Sequence, residues 1–130
     1  MLSKFTRNQT LVLNTLKNAQ KPLSAYAILE RLREEGFRAP LQVYRALERL
    51  IQLKYIHRLE SANAFMACLH PENCQHEFTT FTICDKCGKV NEIQDPVIAY
   101  GVKKMVQDAD FQAHRSTVEV RGMCKKCVEK

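Results

Sequence analysis

Two cysteine pairs in the same frame, Cys84-Asp85-Lys86-Cys87 and Cys124-Lys125-Lys126-Cys127, carry the most distinctive chemistry in the chain. Two residues between thiols let one short turn aim both sulfurs at one ion, and two such pairs complete a closed tetrahedral zinc site. Gly88, directly after the first pair, suits the tight backbone of such a knuckle. No ligand position is left open for water, so the site reads as structural and not catalytic. The rival reading makes each pair a redox dithiol, but that motif normally occurs once and needs no matching pair elsewhere. Structural disulfides would need an oxidising compartment. Met1-Leu2-Ser3-Lys4-Phe5 leads instead into polar helical sequence, with no apolar stretch fit for a signal peptide or a membrane span. The expected location is the cytoplasm.

The interval between the pairs, Gly88 to Met123, is 36 residues, longer than in compact zinc ribbons. A helix and strands must fit inside it, so the zinc ties together the two ends of a small domain. The chain has 130 residues, 45% of them hydrophobic, which allows one domain or two very small ones. Two small lobes are each marginal alone, and a metal plus a dimer interface are the expected remedies. Charge is unevenly placed. Residues 1–66 hold 11 Lys/Arg and 5 Asp/Glu, whereas residues 67–130 hold 9 of each. A basic lobe joined to a neutral, cysteine-rich lobe suggests a polyanion reader coupled to a metal sensor.

In the basic half, Thr6–Asn18 reads as a helix with Thr6 as its cap. Lys21-Pro22-Leu23 breaks it, and Ser24 caps a second helix carrying Ala27, Ile28 and Leu32, with its stop at Glu35-Gly36. A third helix runs from about Leu41 to Leu53. Val43, Leu47, Leu50 and Ile51 form its core face, and Gln42, Arg45 and Arg49 its opposite face. Two alternating strands follow, Tyr55–Leu59 and Ala64–Cys68, around a turn at Ser61-Ala62-Asn63. Three helices and a strand pair describe a winged helix-turn-helix, whose third helix enters the major groove of double-stranded DNA. Arg45 offers the planar fork that reads a guanine edge, and Gln42 reaches an adjacent base. Tyr44 has a ring for a thymine methyl or a hydroxyl for a phosphate, while Tyr26, Arg49 and Arg58 are candidate backbone contacts.

The run Val43-Tyr44-Arg45-Ala46-Leu47, then a wing, then Cys84-x-x-Cys87-Gly88 and Cys124-x-x-Cys127, resembles the ferric uptake regulator superfamily of metal-responsive repressors. The resemblance covers nearly the whole chain and is nearest to the zinc uptake regulator branch. It implies an α+β protein: a winged-helix DNA-binding domain at residues 1–69, a hinge at 70–77, and a small α/β dimerisation and metal-binding domain at 78–130. One departure stands in the reading head, where many relatives have Pro-Thr before the Val-Tyr-Arg run and this chain has Pro40-Leu41-Gln42.

Residues 57–92 hold further ligand types: His57, Cys68, His70, Cys74, His76 and Glu92. A tetrahedron of His57, Cys68, His76 and Glu92 suits zinc, because one thiolate and two imidazoles favour it over harder iron or manganese. The resemblance implies the same four positions, with Cys74 a rival for Cys68 and His70 for His76. His57 and Cys68 belong to the DNA lobe, and His76 and Glu92 to the hinge and dimer lobe. A sensory zinc there would clamp the two lobes and set the spacing of two reading helices in a dimer.

In the second lobe Phe78–Ile83 and Val90–Ile93 read as strands. Asp95-Pro96 opens a helix with an apolar stripe of Ile98, Val102, Met105, Val106 and Ala109, and Thr117–Arg121 is a third strand. Three strands and a helix are too few to cover both sheet faces, which calls for a homodimer. His114 reads as an exposed loop residue, with an additional metal site as the alternative, and Glu30 with Arg33 as an intrahelical pair.

The expected protein is a zinc-responsive transcriptional repressor of metal-uptake genes, with two zinc ions per chain and a DNA operator as partner. The alternatives are an iron, manganese or peroxide sensor of the same superfamily, or a CxxC redox or zinc-ribbon protein without DNA binding. No nucleophile with a matched base stands out, so neither enzymatic activity nor a small-molecule substrate is expected. No membrane partner is expected either.

Overall fold

The computed structural model describes residues 5–19, 21–68 and 78–129. The expected hinge at 70–77, and with it His70, Cys74 and His76, lies outside them. The chain divides into two compact units, Met1–Pro71 and Glu72–Lys130.

The first unit opens with helix α1, Arg7–Asn18. Its start is a reciprocal cap: Thr6 Oγ1 accepts from the Gln9 N–H at 3.1 Å, and Gln9 Oε1 accepts from the Thr6 N–H at 3.0 Å. Helix α2, Ala25–Arg31, is capped by Ser24, whose Oγ accepts from the Ala27 N–H at 3.1 Å. It ends sooner than expected. Leu32 leaves helical geometry, a single 3-10 turn at Arg33–Glu35 follows, and Gly36 takes the left-handed conformation at φ 101° that stops the run. Glu30 and Arg33 pair with each other at 2.8 Å, as neighbours three apart on one helix face do.

Helix α3, Pro40–Gln52, has proline at its first position, where the missing N–H costs nothing. Strands β1, Ile56–Leu59, and β2, Ala64–Ala67, form an antiparallel hairpin in which Ile56 faces Ala67 and Leu59 faces Ala64. Asn63, at φ 47°, makes the turn. Leu23 bridges to Phe65 through two backbone hydrogen bonds, which fastens the hairpin to the helical part. Val12, Leu16, Ile28, Phe37, Val43, Leu47, Leu50 and Ile56 are buried in one continuous core, with Ile51 only partly covered.

The second unit is a three-stranded sheet, order β4-β3-β5, built from β3, Phe78–Cys84, β4, Val90–Ile93, and β5, Ser116–Gly122. Strand β4 pairs antiparallel to β3, and β5 pairs parallel to it. A parallel neighbour needs a crossover. Helix α4, Pro96–Asp108, lies within that connection, and Asp95 Oδ1 caps it by accepting from the N–H groups of Val97 and Ile98. A four-residue helix, α5, Lys125–Val128, closes the unit and was not foreseen from the sequence.

Burial differs between the units. Phe81, Ile83, Cys84, Cys127, Thr79 and Glu92 are buried in the second, but no residue of α4 is. The apolar stripe is only partly covered in the single chain, with Val102 and Val106 half-buried and Ile98 48% and Met105 64% exposed. Among the described residues no helix is long and apolar enough to cross a membrane.

The reciprocal cap on α1 yields the first prediction. Thr6→Ala is expected to lower the stability of the first unit by about 1 kcal/mol, read as a lower denaturation midpoint with unchanged secondary structure. An unchanged midpoint would show that the cap adds nothing.

Candidate metal centre and reading face

Four sulfurs converge at one end of the sheet. Cys84 ends β3, Cys87 lies in the turn after it, Cys124 precedes α5 and Cys127 lies within it. Their Sγ atoms all lie within 4.8 Å of one another. Those of Cys87 and Cys124 are 3.7 Å apart. A zinc about 2.3 Å from each of four thiolates requires sulfur separations of roughly 3.8 Å, so the residues fit a closed tetrahedral site.

The backbone supports that geometry. Gly88 turns the first knuckle at φ 80°, a conformation that side chains disfavour, and its N–H donates to the Cys84 carbonyl at 2.9 Å. The N–H groups of Cys127 and Val128 donate to the Cys124 carbonyl at 3.0 and 2.9 Å and close the second turn. Between the two, the Asp85 N–H donates to the Gly122 carbonyl at 2.8 Å, and the Arg121 guanidinium holds Asp85 Oδ1 at 2.7 to 2.8 Å. Sequence reading missed this cross-brace, although opposite charges beside the two cysteine pairs were a visible signal.

The thiols do not ionise alike. The N–H groups of Cys87 and Cys124 each donate to Cys84 Sγ at 3.4 Å. Those bonds favour the thiolate and bring Cys84 from 9.0 down to about 5. Backbone hydrogen bonding from Cys127 likewise lowers Cys124. Cys127 moves the other way, to about 12, first through its side-chain hydrogen bond with Cys124 and then through burial.

The first unit presents other ligand types on the hairpin. His57 is buried on β1 and faces Met66 across the ladder. The Cys68 N–H donates to the Tyr55 carbonyl at 2.8 Å, extending the ladder by one residue. Tyr55 immediately precedes β1, two residues before His57, so Cys68 falls on the same face of the hairpin as His57, and both are buried. In the second unit Glu92 is buried on β4 beside Phe81, and its Oε2 accepts from Gln94 Nε2 at 3.2 Å. His76 lies outside the described residues. His114 is exposed and lines a cavity of about 770 Å3 with α4 residues including Tyr100, Lys103 and Val106. Among the described residues it joins no group of three ligating side chains.

Helix α3 separates its faces cleanly. Val43, Ala46, Leu47 and Leu50 are buried, while Leu41, Tyr44, Arg45, Glu48 and Arg49 are exposed. Arg45 makes no hydrogen bond or ion pair among the described residues, whereas Arg49 donates to Gln52 Oε1 at 3.3 Å. Gln42 has a second task that its sequence position did not reveal. Its Oε1 accepts from the N–H groups of Arg38 at 2.7 Å and Ala39 at 3.0 Å, capping the helix and leaving only its amide nitrogen to reach outward. Arg58 braces the wing, donating to Asn63 Oδ1 at 3.1 Å and lying 5.8 Å over the Phe65 ring. Tyr26, on α2, is 64% exposed.

Comparisons with known proteins agree with this geometry. A family model described as the ferric uptake regulator family matches residues 2–121. The zinc uptake regulation protein of Escherichia coli (strain K12) is 31% identical over 127 residues, covering 97% of this chain and 74% of that protein. A crystal structure of holo XcZur is 38% identical with a TM-score of 0.88, covering 96% of this chain and 86% of the other. A zinc uptake regulator complexed with zinc and DNA is 30% identical with a TM-score of 0.90, covering 95% and 83%.

Binding of zinc at the four thiols must displace the protons they hold. At neutral pH Cys127 is expected to surrender a proton and Cys84 none, since one lies at about 12 and the other at about 5. Calorimetric titration in buffers of different ionisation enthalpy should therefore show proton release on zinc binding and a lower affinity as the pH falls. Binding that is independent of pH and buffer would contradict this. Cys127→Ser is expected to lose this zinc and the folded second unit together, seen in metal content and circular dichroism.

Proposed function

Because this chain belongs to the ferric uptake regulator family, we propose that it is a zinc-responsive, DNA-binding transcriptional repressor of metal-uptake genes. The observation that carries the reading is similarity over nearly the whole chain to a zinc uptake regulator complexed with zinc and DNA. Both halves of that activity have matching chemistry here. The four sulfurs suit a structural zinc, and the exposed face of α3 in a basic unit suits the major groove.

In this reading each chain holds two zinc ions. Cys84, Cys87, Cys124 and Cys127 hold the structural one, and His57, Cys68, His76 and Glu92 hold the sensory one. Burial of an imidazole and a thiol on one hairpin face, and of a carboxylate on β4, supports the second set, because all three are metal-ligating types held out of bulk water. One thiolate, one carboxylate and two imidazoles leave a zinc site near neutral overall. They also favour zinc over harder cations.

The protein acts as a homodimer. The exposed apolar residues of α4 and, among the described residues, the one-sided pairing of β4 and β5 support a second copy as the missing half of that core. Zinc at the sensory set selects the dimer form whose two α3 helices match successive major-groove faces of a palindromic operator. A coupling of about 2.7 kcal/mol shifts such an equilibrium about a hundredfold, which is ample for a switch. Arg45 reads a guanine edge. Tyr44 and the amide nitrogen of Gln42 contact neighbouring bases, and Tyr26, Arg49 and Arg58 hold the phosphates. A DNA-binding regulator of this kind works in the cytoplasm, and the reading assigns it no enzymatic step.

Two measurements test the proposal. Metal analysis is expected to give close to two zinc ions per chain. A chelator should take the sensory ion first and abolish operator binding, which iron and manganese restore less well than zinc; a single zinc with unchanged DNA affinity would defeat the sensor reading. Arg45→Ala is expected to cost about 1 to 3 kcal/mol of sequence discrimination while leaving zinc content intact. Retained discrimination would remove Arg45 from the base-reading set.

A further inference from the structure

The exposed face of α3 begins with an apolar side chain. Leu41 is 56% exposed, directly after Pro40 at the start of the helix, and Tyr44 and Arg45 stand one turn further along the same face. A single exposed leucine is unremarkable on most surfaces. This one occupies the part of a recognition helix that comes nearest to base edges.

The start of the helix is also locked. Gln42 Oε1 takes the N–H groups of Arg38 and Ala39, and Pro40 has no N–H to offer. The two amides that lead into the helix are thus already engaged. The chain there presents an exposed isobutyl group. Among the groups exposed in the major groove, one is apolar and protrudes, the C5 methyl of thymine.

We propose that Leu41 is a specificity-determining residue that packs against a thymine 5-methyl group in each operator half-site. The inference rests on reading α3 as the recognition helix and adds an apolar contact to the polar ones of Arg45. Leu41 and Arg45 lie four apart, one turn along the helix, so they address neighbouring base pairs. The preference for thymine over cytosine then comes from the methyl group and not from a hydrogen bond.

The test uses the full-length, zinc-loaded protein and a library of duplexes with a randomised core. Wild type and Leu41→Ala are each taken through selection and sequencing. Wild type is expected to enrich one thymine per half-site that Leu41→Ala no longer requires, with the remaining preferences shared. In the selected duplex, replacing that thymine by uracil removes only the methyl group. This should weaken wild type about fourfold per half-site, leave Leu41→Ala unaffected, and weaken the conservative Leu41→Met as it does wild type. Equal losses in wild type and Leu41→Ala, or no thymine dependence in wild type, would overturn the contact while leaving α3 as the reader. Failure of wild type to select any sequence would instead overturn the DNA-binding reading, and the contact with it. Zinc content and circular dichroism of Leu41→Ala, expected to match wild type, exclude misfolding as the cause of a loss.

Discussion

Strands β3 and β5 run parallel, so their C-terminal ends leave the sheet at the same end, and each of them carries one CxxC pair. Cys84 pairs in register with Gly122, which sets the second pair just past the strand end and level with the first. An antiparallel pairing would have sent the two motifs to opposite ends of the sheet. With so few buried apolar side chains, the second unit depends on that convergence for a stable structure. The Asp85–Arg121 brace and the N–H groups around Cys84 hold the sulfurs where an ion can join them.

The first unit is held by a different device. One helix, α3, both completes the core and carries the exposed face proposed to read DNA, so packing and presentation are the same geometric fact. Val43, Leu47 and Leu50 anchor the buried side, and their depth fixes the rotation at which Leu41, Tyr44 and Arg45 face outward. Each residue turns the helix by about 100°, so a shift of one position would carry Arg45 toward the core. Gln42 secures the start of the helix from its own side chain, by accepting from the N–H groups of Arg38 and Ala39.

The uneven burial of the two units is itself informative. Apolar side chains of the first unit gather in one continuous core, whereas Val97, Ile98, Tyr100, Met105 and Phe111 in the second stand exposed. Among the described residues β4 and β5 each pair on one side only, and a sheet with two such edges and an apolar helix face is an incomplete folding unit in water. In the proposed homodimer a second copy supplies what is missing, and its two-fold symmetry would match that of a palindromic operator.

Much of this was determined by the sequence alone. Helix starts at Thr6, Ser24 and Asp95, the core face of α3, the wing hairpin and the set of four thiols follow from residue types a few positions apart, because caps, helical periodicity and knuckles are local physics. Family resemblance extended that reading to the function. Only the tertiary structure decided the parallel course of β5, the short α5, the brace between Asp85 and Arg121, the capping duty of Gln42 and the open face of α4. A stripe of apolar residues at helical spacing says that a face will be covered but not by what. The direction in which two distant strands pair depends on the whole sheet and its crossover, and no window of neighbouring residues encodes it.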